Sequence, residues 1–191
     1  MPYRLLKFAF KKEYPESRMF RAPAQLKNEY DVVIIGGGGH GLAAAYYLAK
    51  NHGITNVAVL EKGYLGGGGT GRNTAIIRSN YLTPDGVRFY QRSVDLFQDL
   101  SRELNFNLFY TERGHFTLAH SPSSLNTMRW RAEVNKHLDV DSELVDAKFV
   151  KRQLPEIDLE CGGHQAPVMG ALYHPSGAIA RHDAVAWAYA R

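Results

Sequence analysis

One cysteine, Cys161, is all that the 191 residues carry, which excludes an internal disulfide and fits a reducing compartment. Long apolar runs are missing too. The stretches Val32 to Ile35 and Leu42 to Leu48 are far too short to span a bilayer, and the first residues lack a signal-peptide apolar stretch. These absences predict a cytoplasmic chain with no membrane contact. No H-x-x-x-H or H-E-x-x-H spacing occurs among the eight histidines, so no metal site is expected. The net charge is +4, but basic and acidic residues are interleaved and form no long stripe, which argues against a nucleic-acid partner. There is no internal repeat. What is present, with 45% hydrophobic residues, suffices for a globular domain with its own core.

Residues 1–29 set Arg4, Lys7, Lys11, Lys12, Arg18, Arg21 and Lys27 against Glu13, Glu16 and Glu29, among Tyr3, Phe8, Phe10, Met19 and Phe20. This reads as a solvated extension, with an aromatic arm packed on a partner subunit as the alternative. Beyond it the patterning predicts a strand at 31–35, a helix at about 40–51 and a strand at 57–61, together a βαβ unit. "AIIRSNY" after residue 74 looks extended. Thr83 as cap and Pro84 in the first turn begin a helix whose Val87, Tyr90, Val94, Phe97 and Leu100 recur at core spacing. A hairpin turning near Glu112 to Gly114, a helix from about Ser124 to His137, a strand near 143–145 and a capped helix from Asp146 to Leu154 follow. The segment 155–170 is a loop, "GALYHP" a strand and "RHDAVAWAYAR" a helix, with Asp183 expected as its N-cap and His182 just before it.

Four glycines directly after four β-branched residues, in "YDVVIIGGGGHGLAAAYYLAK", require a close approach to the backbone. Gly36, Gly38 and Gly41 have G-x-G-x-x-G spacing, and Glu61 ends the second strand twenty residues later. Gly36 permits the turn out of the strand, Gly38 admits a pyrophosphate to the backbone and Gly41 lets the helix lie close to the sheet. Gly39 and His40 open that helix, whose free N–H groups favour phosphate. Glu61, followed by Lys62, accepts from a ribose diol. An adenine dinucleotide is expected here, with FAD and NAD both open at this point. A second glycine-rich segment, "LGGGGTGRNT", offers Thr70, Arg72, Asn73 and Thr74 as donors to phosphate and flavin oxygens. Arg78, in an extended apolar run, needs a carboxylate, either an internal acid or a substrate.

Those two loops, together with "SNYL", "LSREL", "RGHFTLAH" and "VMGALYHPSGAIARHDAVAWAYAR", make the chain from residue 30 onward resemble the N-terminal half of the β subunits of heterotetrameric sarcosine oxidases, in the D-amino-acid-oxidase-like flavoprotein superfamily. The resemblance implies an α/β fold in which a Rossmann-like FAD-binding domain is interleaved with an α+β substrate domain. Its parts are expected at 30–83 (FAD), 84–180 (substrate) and 181–191 (return helix of the FAD domain), with 1–29 as an N-terminal extension and the C-terminus incomplete. It implies noncovalent FAD, a substrate carboxylate held by Arg78, and FMN bound covalently to His182 in its "RHDAVAWA" context. It further implies oxidation of the N-methyl group of sarcosine to give glycine. The one-carbon unit passes to tetrahydrofolate and electrons run from FAD through FMN to oxygen, within a complex with α, γ and δ subunits.

In that superfamily the lysine that activates oxygen and a second carboxylate-binding group lie beyond the position of Arg191, so this stretch alone is expected to be inactive. The glycine run Gly69-Thr70-Gly71 departs from relatives that often carry Asn there. His115, His120 and His174 read as structural, with His174 the competing point for a flavin. Two other functions fit the glycine loops: a different FAD amine or D-amino-acid dehydrogenase, and a noncatalytic dinucleotide-binding scaffold subunit.

Overall fold

Two short parallel strands frame the N-terminal part of the computed structural model, which describes residues 25–163 and 166–191. The aromatic arm expected before residue 25 lies outside the described residues. Strand β1 (Val32–Ile35) pairs with β2 (Val57–Leu60) in a register that runs from Val32 opposite Val57 to Ile35 opposite Leu60. Helix α1 (Gly39–His52) links them, giving the expected βαβ unit. It stops where Gly53 turns left-handed at φ 69, with the N–H groups of Gly53 and Ile54 donating to Ala49 O and Leu48 O.

Helix α2 (Pro84–Glu103) starts as its sequence dictates: the Thr83 hydroxyl accepts from Gly86 N and Pro84 occupies the first turn. Val87, Val94 and Leu100 are buried. Tyr90 departs from the expected core stripe. It is 38% exposed and stacks on Tyr81 with ring centroids 4.0 Å apart. Leu100 and Leu108 pack with Ala180, Ala184, Val185 and Ala188, and Ile77, Phe97 and Tyr189 close around them. The small residues belong to helix α5 (His182–Ala190) and the segment leading into it, and they let α5 sit between α2 and α1. On its α1 side, Tyr189 meets the rings of Tyr46 and Tyr47.

The expected hairpin does not form. Strand β4 (Thr111–Glu112) pairs with β8 (Ala178–Ile179), on whose other side lies β3 (Ile76–Ile77). Strand β5 (His115–Ala119) leaves for a different sheet, pairing with β7 (Gly170–His174), which also pairs with β6 (Glu143–Asp146). The reason lies at the bend between β7 and β8: the N–H groups of Arg113 and Gly114 both donate to Gly177 O, so the would-be turn is bonded to a third segment. All pairings in these two sheets are antiparallel.

Alternation along the strands gives the second sheet two apolar faces. Ala119, Leu172 and Leu144 meet Met128 and Ala132 of helix α3 (Pro122–His137). Ala171, Tyr173, Val145 and Phe116 meet Phe149 and Val150 of helix α4 (Ala147–Gln153). Helix α3 begins two residues before the expected start, because Ser121 and Ser124 cap each other reciprocally. Asp146 caps α4 as expected, accepting from Phe149 N at 2.7 Å. Among the described residues no helix is long and apolar enough to cross a membrane.

The junction between the sheets is crowded: a Cβ at Gly177 would lie 2.5 Å from His115 Cβ and 2.7 Å from its backbone N. Gly177→Ala is expected to destabilise the fold by about 1–3 kcal/mol through overpacking. A shift of the urea midpoint measures it, and an unchanged midpoint contradicts this account of the junction.

Candidate functional site

At the C-terminal end of β1 the chain turns through Gly36 at φ 109, and Gly36 N still bonds Leu60 O across the sheet at 2.8 Å. Gly41, in the first turn of α1, is so close behind that a Cβ there would lie 2.1 Å from Gly36 O. Only glycine tolerates that approach, which sets the start of α1 directly against the end of the strand. Gly38 is its N-cap and supplies no side-chain bond, so the first N–H groups of the helix are open to other acceptors. His40, the second residue of α1, is exposed.

Glu61 follows β2, where the spacing puts it. Its carboxylate accepts from Gly37 N and Gly63 N, each at 2.8 Å. Those two backbone donors, Gly63 first, hold its pKa below the usual carboxylate range. Two oxygens with spare lone pairs remain able to accept from a diol. Lys62 is exposed beside it.

The second glycine segment is stitched to the first. Gly66 N donates to Gly37 O at 2.9 Å, and Thr70 Oγ1 accepts from Gly39 N at 2.9 Å. Thr70 therefore caps α1 across 31 residues and keeps its own proton for another acceptor. Its neighbours form a 3-10 turn, Thr70–Arg72, braced by Asn73: the Asn73 amide donates to Thr70 O and accepts from Ala75 N, both at 2.6 Å. Asn73 thus spends both amide atoms on the loop, whereas Arg72 and Thr74 are exposed. Helix α5 supports the loop from below, since a Cβ at Gly66 would lie 3.3 Å from Ala186 Cβ.

Arg78 lies beyond β3, with its guanidinium carbon 4.3 Å from the Tyr81 ring centroid. Its Nη1 donates to Asn80 Oδ1 at 2.9 Å. No carboxylate bonds it among the described residues, so the internal-acid alternative finds no partner. Around it stand groups that spacing did not bring together: Arg131 of α3, His115 of β5 and His174 of β7. His174 is 1% exposed; its Nδ1 meets Asp141 O at 2.6 Å, which makes that nitrogen the donor, and its Nε2 accepts from Ser79 N at 3.5 Å. Burial lowers the pKa of His174 despite the bond to Asp141, and nearby Arg78 adds to the effect. Burial, then the charge of Arg78, pushes His115 down to about 4.

His182 is the first residue of α5 rather than the residue before it. The expected Asp183 cap fails: Arg181 is the N-cap, and Asp183 instead accepts from Arg181 Nε and from Ala184 N. The Nδ1 of His182 is buried with no hydrogen-bond partner among the described residues. His120 Nδ1 meets Ala166 O, and no group of metal-ligand residues forms among the described residues.

A family model described as "FAD dependent oxidoreductase" matches residues 31–191. The sarcosine oxidase subunit beta of Arthrobacter sp is 50% identical over 179 residues, covering 94% of this chain and 44% of that protein. Its counterpart from Rhodobacter capsulatus is 46% identical, covering 89% of this chain and 41% of that protein. Among solved structures, L-proline dehydrogenase from P. horikoshii aligns with a TM-score of 0.75 at 27% identity, over 86% of this chain and 41% of that one. The chain thus spans less than half the length of the relatives it matches.

Two imidazoles with lowered pKa tie stability to pH. With its folded pKa below the unfolded value, His115 favours the folded state when neutral. That stability is complete above about pH 6.5 and is lost as pH falls toward about 4. The loss amounts to up to about 3 kcal/mol. Urea unfolding at pH 7 and pH 5 is expected to show a lower midpoint at pH 5, and His115→Gln is expected to shrink that difference. Equal pH dependence in the two proteins refutes the assignment.

Proposed function

The chain belongs to the FAD dependent oxidoreductase family, and from that premise we propose that it is the FAD-holding part of an amine-oxidising subunit of the heterotetrameric sarcosine oxidase type, acting on sarcosine. The observation that carries the FAD assignment is the pair of stitched glycine loops with Glu61 between them. The residues fit such a group: the Gly36–Gly41 approach, a helix start whose own N-cap is a glycine and the carboxylate at the end of β2 are the parts that a dinucleotide needs. In this reading Gly36, Gly38, Gly39, His40 and Gly41 surround the pyrophosphate. Glu61 and Lys62 meet the adenosine side, and Thr70, Arg72, Asn73 and Thr74 face the flavin side. Residues 30–83 and the helix from 181 are parts of the FAD domain, and 84–180 of the substrate domain.

Arg78 holds the substrate carboxylate. A guanidinium without an acid partner among the described residues, its face covered by Tyr81, has a fixed orientation and a charge open to a substrate carboxylate. Binding through the carboxylate orients the N-methyl group and leaves the amine free to react. FAD, when bound, supplies the acceptor for the two electrons removed from the N-methyl amine, and FMN a relay toward oxygen. His182 holds FMN covalently: it starts a helix at the positive end of the peptide dipoles, and its unsatisfied Nδ1 leaves the ring without a structural task. His174 is unsuited, since both its nitrogens are engaged in the interior. The identity to two bacterial proteins named sarcosine oxidase subunit beta supports this substrate and a multisubunit assembly; in this reading the partners are α, γ and δ subunits in the cytoplasm, tetrahydrofolate takes the one-carbon unit and glycine remains.

Two experiments on the full-length subunit assembled with its partners test this reading. Arg78→Lys keeps the charge and loses the fork; KM for sarcosine is expected to rise about 10-fold or more, as loss of a charge-assisted hydrogen bond implies. Unchanged KM and kcat reject the clamp. Peptide mass analysis after denaturation and digestion is expected to find FMN on the peptide containing His182, and none in His182→Ala, which keeps FAD. FMN on the His174 peptide, or fully released, rejects the attachment.

A further inference from the structure

Arg131 reaches from α3 into the bend after β3, where its Nη2 donates to Asn80 O at 2.6 Å across 51 residues of sequence. The same carbonyl lies 3.4 Å from Arg78 Nη1, which is also bonded to the Asn80 side chain. One buried asparagine therefore carries two guanidinium groups, and among the described residues neither of them has a carboxylate in salt-bridge contact. Asn80 itself is 0% exposed, and its Nδ2 and Arg131 Nε are both buried without a partner among the described residues. Like charges gathered in a half-buried place raise each other's cost, so a purely structural arrangement would bring in an acid. None is there. The nearby imidazoles, His115 and His174, add no negative charge.

The geometry of Arg78 says what this arrangement achieves. Among the described residues only its Nη1 is bonded to protein, and Tyr81 covers the guanidinium plane. The remaining Nε and Nη2 form the side-on edge that pairs with a carboxylate through two parallel bonds. Resting on the reading of Arg78 as the substrate clamp, we propose that Arg131 is a positioning residue for that clamp. By anchoring the Asn80 carbonyl it fixes the bend on which Asn80 holds Arg78 Nη1, and so aims the Nε–Nη2 edge at the substrate carboxylate. Arg131 serves selectivity for carboxylate-bearing amines without itself touching them.

The test uses the full-length subunit with its partners, loaded with flavin. Acetate serves as the carboxylate probe, read by the change in flavin absorption, and sarcosine amide as the substrate analogue without a carboxylate. In Arg131→Gln, KM for sarcosine and Kd for acetate are expected to rise together by about tenfold, with kcat changed by less than about twofold and the KM for sarcosine amide unmoved. Arg131→Lys is expected to recover part of the loss, with KM about threefold above the parent. Should Arg131→Gln fail to accumulate, Arg131→Lys is the variant to read, and its KM equal to the parent's overturns the proposal. So does Arg131→Gln with unchanged acetate affinity, or with equal losses for acetate and the amide, which would mark general damage. Arg78→Lys separates the two readings. If it leaves acetate affinity intact, the clamp itself is wrong; if it weakens acetate while Arg131→Gln does not, only the positioning role falls.

Discussion

The near-contact of Gly41 with the carbonyl of Gly36 is the constraint on which the site depends. A distance of 2.1 Å from a would-be Cβ to that oxygen leaves no room for any side chain. It fixes where α1 begins relative to the strand end and so where its unsatisfied N–H groups point. Everything downstream uses that position: Thr70 caps Gly39, Gly66 bonds Gly37, and Glu61 accepts from Gly37. Two loops separated by a strand become one surface. Helix α5, lying beneath Gly66 through Ala186, carries the same constraint to the segment that bears His182.

A second, electrostatic constraint governs the surroundings of Arg78. Arg78, Arg131, His115 and His174 come from four separate elements and meet around Asn80 and Ser79. Burial and the neighbouring guanidiniums keep the imidazoles neutral near pH 7, so the positive charges there are the two guanidiniums, with the Asp141 carboxylate acting on His174 from the other side of the ring's hydrogen bond. The surplus is positive in a place with little access to counterions. Such a place favours a small anion that brings its own carboxylate, and it weakens the fold in acid when the imidazoles take up protons.

Local signals were legible in the sequence and distant ones were not. The βαβ unit, the place of Glu61 at the end of its second strand and the Thr83 and Asp146 caps follow from neighbours within a few residues and are found; the α/β class, which the resemblance implied, is found as well. The β4–β5 hairpin was misread because the turn residues Arg113 and Gly114 are bonded to Gly177, more than sixty positions away. Tyr90 has helical core spacing but stacks on Tyr81 at the surface, since an aromatic partner outside the helix outweighs the stripe. Asp183 has the chemistry of a cap, yet the Arg181 guanidinium competes for its carboxylate and the helix starts two residues earlier. Thr70 as an acceptor for α1, and Arg131 beside Arg78, leave no local trace at all; each is a single side chain reaching across the fold.

The central claim is that the two glycine loops hold FAD. Its most direct measurement is the dinucleotide released when the full-length subunit, purified with its partners, is denatured and the supernatant is analysed by mass and absorbance. The account predicts about one FAD per chain, set free without breaking a covalent bond. Release of NAD in its place, or of no dinucleotide from an active enzyme, would contradict it.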